Sequence, residues 1–157
     1  VAPGPVSAIG DSVMLGSVGP LQKAVDVAVM DAEVGMQVSY AIDVLGSRRA
    51  AGQLGDTVVV HLGNKGVFTR RQFEEMMRVL EDVDRVIFVN VRVDRAWEAP
   101  NNRVIAAGVA RHPNAELVDW YSASAGRPEL FVSDGVHLQH PGQRLYAALI
   151  RDRVEAG

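Results

Sequence analysis

Short runs of apolar, largely β-branched residues alternate along this chain with longer stretches in which apolar positions recur every three or four residues. The runs predict strands at Val6–Ile9, Val27–Ala32, Thr57–Leu62, Arg85–Val91 and Glu116–Trp120. The stretches between them predict helices over Val13–Val25, Val38–Gly52, Arg70–Asp82 and Asn102–Arg111, with a last helix from Pro141 to Val154. Thr69 with Gln72 three residues later forms a capping-box pattern, and Pro141 suits the first turn of the final helix. Regular strand–helix alternation predicts an α/β fold: a three-layer α/β/α sandwich around a five-stranded parallel sheet. No internal repeat or low-complexity stretch divides it.

The longest irregular connections are Arg92–Asn101 and Tyr121–Gln139, and both leave the C-terminal ends of predicted strands. That edge of an open α/β sheet carries the ligand crevice, near the point where strand order reverses. With the order 2-1-3-4-5, strands one and three are neighbours, and Ser12 faces the Gly63-Asn64-Lys65-Gly66 loop.

Three fragments at this edge carry chemistry: Gly10-Asp11-Ser12, Gly63-Asn64-Lys65-Gly66 and Asp134-Gly135-Val136-His137. A serine hydroxyl needs a base to remove its proton during attack, and His137 is the leading candidate. Asp134, three residues earlier, can accept from the other ring nitrogen and stabilise an imidazolium. Each fragment alone has a structural reading. Asp11 and Ser12 suit a helix N-cap, and Asp134-Gly135 suits a turn. Taken together at one edge, they point to a serine esterase or acyltransferase.

Composition narrows the classes. With 157 residues the chain suits one domain, and its 48% apolar and 22% charged content is ordinary for a globular protein. A formal charge of −3 and the lack of a basic run argue against nucleic acid as a partner. The chain has no cysteine, which excludes disulfides, thiol nucleophiles and Cys-ligated zinc. No apolar run approaches the roughly 18 residues that cross a bilayer, so a soluble domain is expected. The start at Val1, with Pro3 and Pro5 close behind, reads as the edge of a longer protein. His61 reads as a hydrogen-bonded structural residue, His112 and His140 as surface or turn residues, and Met76-Met77 as core packing. No two histidines are spaced for a metal, so neither a catalytic metal nor a cofactor is expected.

At Gly10-Asp11-Ser12, Gly35, the Gly63 loop and Asp134-x-x-His137 the chain resembles the successive motif blocks of the SGNH (GDSL-like) hydrolases. It is most similar to the extracytoplasmic SGNH domains of bacterial membrane acyltransferases, such as peptidoglycan O-acetyltransferases. The phrases Ala8–Met14, Asp31–Gln37 and Asp134–Leu138 carry the resemblance, with Arg95-Ala96-Trp97-Glu98 before Asn101-Asn102. It implies Ser12 as nucleophile, His137 as acid/base, Asp134 as its orienting partner, and the Ser12 and Gly35 amides as oxyanion donors. It also implies an acyl donor, a carbohydrate or glycolipid acceptor, and tethering to a membrane acyltransferase domain at the cell envelope. The third block departs from the family's Gly-x-Asn: Lys65 stands where Asn is expected, and Asn64 occupies the variable position. Lys65 turned into the oxyanion hole, Asn64 brought in by a one-residue shift, and Lys65 left in solvent are three readings of this departure. Trp97, on a crevice-edge loop, is a candidate for sugar stacking or a lid. The rival to an enzyme is a non-catalytic glycan- or partner-binding domain. A flavodoxin-like nucleotide binder ranks last, because no Gly-rich phosphate loop follows strand one.

Overall fold

The computed structural model describes residues 4–157, so the expectations for Val1 and Pro3 lie outside the described residues. Five strands, β1 (Val6–Gly10), β2 (Val27–Ala32), β3 (Thr57–His61), β4 (Arg85–Val89) and β5 (Ala115–Val118), form one parallel sheet. Their order is β2-β1-β3-β4-β5, the order expected for the sheet. Seven helices connect and cover them: α1 (Ser12–Gly16), α2 (Val18–Ala24), α3 (Val38–Ala50), α4 (Arg70–Val79), α5 (Glu98–Arg111), α6 (Trp120–Ala123) and α7 (His140–Glu155). A 3-10 turn occupies Pro128–Leu130.

Consecutive residues of a strand point to opposite faces, and both faces here are covered, so the middles of β3 and β4 are apolar at successive positions, Val58-Val59-Val60 and Val86-Ile87-Phe88-Val89. Val59, Ile87 and Val89 pack beneath α1, α2 and α7 with Met14, Leu21, Tyr146 and Ile150. Val58, Val60, Val86 and Phe88 pack on the other face beneath α3, α4 and α5 with Leu45, Phe73, Met76 and Ile105. Met76 and Met77 are core residues, as expected. Thr69 and Gln72 form the reciprocal capping box that the sequence announces, Thr69 Oγ1 accepting from Gln72 N at 3.1 Å.

Three elements differ from expectation. The single helix expected over Val13–Val25 is two, broken at buried Ser17, whose hydroxyl donates to Val13 O at 3.0 Å. Pro20 explains the break: it has no N–H, and its ring excludes a helical carbonyl four residues earlier, so the second helix must begin just before it. The helix expected from Asn102 begins at Glu98, because Pro100 falls within the first turn, where proline is tolerated. Trp120, expected at a strand end, instead opens α6 and is buried.

In the parallel register Gly10 lies between Ala32 of β2 and His61 of β3. The segments following these residues, with Ser12, Gly35 and Asn64, therefore emerge side by side at one edge.

Candidate active site

Ser12 is the first residue of α1, and Asp11 is its N-cap, accepting from Val13 N at 3.0 Å. As the opening residue of a helix, Ser12 has an N–H with no carbonyl of its own helix to bond. The opposite side of the site is a tight loop. Phe131 and Leu138 form an antiparallel bridge, and Val132 N donates to His137 O at 2.9 Å. Within the loop, one Asp134 oxygen accepts from Val136 N at 2.8 Å and His137 N at 2.9 Å. Its other oxygen is 2.5 Å from His137 Nδ1, and His137 Nε2 is 2.7 Å from Ser12 Oγ.

The three residues thus form a continuous relay from carboxylate to hydroxyl. Partial burial pushes the Asp134 carboxyl upward, but the hydrogen bonds from the imidazole and from the two amides outweigh it and hold the group below its ordinary value. The carboxylate therefore stays ionised at neutral pH, as stabilising an imidazolium requires. With Nδ1–H directed to Asp134, Nε2 is left to accept the Ser12 proton. Ser12 itself is 8% exposed, so its hydroxyl meets solvent only through the mouth of the site.

A cleft of about 380 Å³ opens beside His137 and Asp134, with Lys65, Asp94, Arg95 and Trp97 on its walls. Gly35, with φ of +71°, occupies a left-handed conformation that glycine adopts without strain. Between Gly35 and the cleft runs the Gly63–Gly66 loop, whose four carbonyls are all held by side chains. Asn101 Nδ2 donates to Gly63 O at 2.9 Å and Gly66 O at 2.8 Å. Trp97 Nε1 donates to Asn64 O at 3.3 Å, and Gln37 Nε2 to Lys65 O at 3.0 Å. Gly63 sits at φ +107°, and a Cβ there would lie 3.1 Å from Asn101 Nδ2.

This fastening bears on the departure in the third block. The Asn64 side chain is buried, its Nδ2 donating to Asp11 Oδ2 at 3.1 Å and lying 3.3 Å from His61 Nε2. Lys65 is exposed on the cleft wall.

No protein-family model matches the chain. The O-acetyltransferase OatA of Staphylococcus aureus (strain NCTC 8325 / PS 47) is 36% identical over 148 residues, which cover 94% of this chain and 24% of that protein. Among solved structures, the C-terminal catalytic domain of Streptococcus pneumoniae peptidoglycan O-acetyltransferase A, carrying a methylsulfonyl adduct, superposes with a TM-score of 0.73. It is 19% identical, over 97% of this chain and 90% of that one. A member of the lipolytic G-D-S-L family from Veillonella parvula superposes with a TM-score of 0.75 at 17% identity, over 94% and 96% of the two chains. The chain has the α/β fold of the SGNH hydrolases. It spans about a quarter of the length of the acyltransferase relative it matches.

This fold brings together the ends that the motif blocks occupy, with Ser12, Gly35, Asn64, Lys65, Trp97, Asp134 and His137 around one edge. His61 is fully buried and bonded to Tyr146 Oη at 2.7 Å, in keeping with a structural histidine. Burial lowers its pKa, outweighing the nearby Asp11 charge, so its ring is neutral at working pH. His112 bonds Glu74 at 2.7 Å, and His140 is exposed at the start of α7. Among the described residues no His, Asp and Glu cluster is arranged to hold a metal. Trp97 is half-buried with its N–H turned to the loop backbone.

Sequence reasoning missed Asn101, Gln37 and Tyr146. Asn101 and Gln37 were polar residues in segments read for other signals, although Asn101 sits next to the connection the family resemblance singles out. Tyr146 carried no signal, because a tyrosine at core spacing in a helix looks like packing alone.

Proposed function

We propose that this domain transfers an acyl group, acetyl by family likeness, through an ester formed on Ser12. Ser12 Oγ attacks the acyl carbonyl carbon while His137 Nε2 takes the hydroxyl proton. The carbonyl electron pair moves to oxygen, and the Ser12 and Gly35 amides are the assigned donors to that oxyanion. The imidazolium, balanced by Asp134, protonates the departing alkoxide. A second hydroxyl then attacks the Ser12 ester, His137 takes its proton, and Ser12 is released. Water as acceptor gives an esterase; a sugar hydroxyl gives an O-acetyltransferase.

The observation that carries this reading is the unbroken contact from Asp134 through His137 to Ser12 Oγ. The OatA relatives are named as O-acetyltransferases, and the pneumococcal one as acting on peptidoglycan, which supports a cell-envelope glycan as acceptor. Because this chain matches only a quarter of such a relative, we assign delivery of the acyl group to a membrane-bound acyltransferase portion and place the domain outside the cytoplasm. No helix among the described residues is long and apolar enough to cross a membrane. Lys65 stands at the third oxyanion position, where a flexible ammonium fixes geometry less well than an amide.

The test is nitrophenol release from p-nitrophenyl acetate by the purified chain and by its Ser12→Ala and Lys65→Asn variants. Turnover is expected to vanish in Ser12→Ala and to rise about tenfold in Lys65→Asn, less than the roughly hundred- to thousandfold that a fully placed oxyanion donor supplies. Turnover that survives Ser12→Ala, or is absent from both the parent and Lys65→Asn, rejects the enzyme in favour of a glycan- or partner-binding domain.

A further inference from the structure

Four buried polar side chains beneath the site take no part in the transfer just described. Tyr146 Oη lies 2.7 Å from His61 Nδ1, His61 Nε2 lies 3.3 Å from Asn64 Nδ2, and Asn64 Nδ2 donates to Asp11 Oδ2 at 3.1 Å. None of the four is more than 2% exposed. The chain ends at the nucleophile turn, because Asp11 Oδ1 accepts from Val13 N, on the far side of Ser12. Asp11 N also donates to His61 O at 3.3 Å. At its other end Tyr146 belongs to α7, the helix that begins three residues after His137.

We propose that Asp11, Asn64, His61 and Tyr146 form a positioning chain that sets the separation of nucleophile and base, with Asn64 acting through Asp11 and not as an oxyanion donor. The inference rests on the acyl-transfer reading above. One end of the chain fixes the turn carrying Ser12, and the other fixes the helix following His137. The third-block loop lies between them, its carbonyls fastened by Asn101, Trp97 and Gln37. A shift that brought Asn64 into the oxyanion hole would break those bonds and strand the buried Asp11 carboxylate and His61 ring, both of which need partners. The two Asn64 amide protons suit its two neighbours, one toward Asp11 and one toward Nε2 of a neutral His61. Nδ1–H then donates to Tyr146 Oη.

That order of donors and acceptors can be run backwards. Exchanging the two groups, Asp11→Asn with Asn64→Asp, places the amide donor at the nucleophile turn and the carboxylate beside His61. His61 then donates from Nε2 to the carboxylate and accepts at Nδ1 from the tyrosine hydroxyl, and the chain closes again with reversed polarity. An Asn64 needed as an oxyanion donor has no such rescue, because the exchange removes its amide altogether.

The experiment measures kcat and KM for p-nitrophenyl acetate with the parent, both single variants, the double variant and Tyr146→Phe, alongside thermal unfolding. Each of Asp11→Asn and Asn64→Asp is expected to lower kcat on the order of a hundredfold with KM little changed, since displacing a reacting group by about 1 Å has that effect. The double variant is expected to recover at least tenfold over the slower single one. A double variant no faster than the slower single one overturns the proposal. Where a variant fails to fold, Tyr146→Phe decides: it removes one hydroxyl from the far end of the chain, and a several-fold fall in kcat at unchanged KM is expected. Parental kcat in folded Tyr146→Phe overturns the positioning role. Loss of the whole acyl-transfer reading looks different, because the parent then has no turnover that Ser12→Ala abolishes.

Discussion

Two carboxylate pairs occupy opposite edges of the sheet. At the edge away from the site, Arg85 Nε and Nη2 donate to the two Glu116 oxygens at 2.6 and 2.8 Å. Two further guanidinium protons go to Val154 O at 2.7 Å and Arg153 O at 2.6 Å, at the end of α7. At the catalytic edge, Asp134 holds His137, whose second nitrogen meets a hydroxyl at the mouth of a cleft. Both carboxyls lie below their ordinary values, Glu116 through its bonds to Arg85 and Asp134 through those that outweigh its burial. The first pair is closed, with four of the five guanidinium protons and both carboxylate oxygens engaged within the fold, so it ties β4, β5 and α7 together. The second ends on an atom able to bond to something new. What separates a clamp from a catalytic relay here is the open end and the titratable ring, since the carboxylate chemistry is shared.

The comparison breaks most visibly at Asp134. An amide there places a donor against Nδ1–H and favours the wrong tautomer. Asp134→Asn is therefore expected to lower p-nitrophenyl acetate turnover by about 10²–10⁴-fold. Its melting temperature should stay close to the parent's. A variant within threefold of parental turnover would remove Asp134 from the relay.

Glu116→Gln should do the reverse. It leaves turnover unchanged and lowers unfolding free energy at pH 7 by about 1.5–3 kcal/mol, the range for hydrogen bonds to charged groups. Because the folded-state pKa of Glu116 is depressed, the pair's contribution is complete above the ordinary glutamate value and is lost as pH falls through the folded value. The gap between parent and Glu116→Gln in urea unfolding is thus expected to close on acidification from pH 7 to below about 4. A gap that widens on acidification contradicts the assignment.

The smallest effect calibrates the others. Thr69→Ala removes the side-chain half of the capping box on α4, whose hydrogen bonds run only between Thr69 and Gln72, and should lower stability by about 1 kcal/mol with no change in turnover. Chemical denaturation and the same esterase assay check both halves of that statement.

The covered parallel sheet was legible because strand and helix periods differ, and because uninterrupted apolar strands such as Val58-Val59-Val60 can only lie between two covered faces. Ser12, Asp134 and His137 were legible because each sits beside a short motif at a strand end or in a loop, and the fold brings those ends together. The break at Ser17 was also written in the chain, through Pro20, but apolar period alone runs across it. The direction of Asn64 was not legible. It depends on Asp11, which approaches it only after β1 and β3 pair, and on Trp97 and Asn101 arriving from α5 and its N-cap; His61, three residues before it, is the one near partner. A side chain whose partners come from several distant segments leaves no local pattern.

The fastened loop has a consequence for how this site can diversify. Four successive carbonyls from Gly63 to Gly66 are each matched to a donor on another segment. An insertion or deletion there would put every one out of step, so loop length is locked. The side chain at Lys65 makes none of those bonds, since Gln37 grips only its backbone. Descendants of this chain can therefore retune the mouth of the cleft by exchanging one residue at 65, a single-codon route, while remodelling by loop grafting is closed to them.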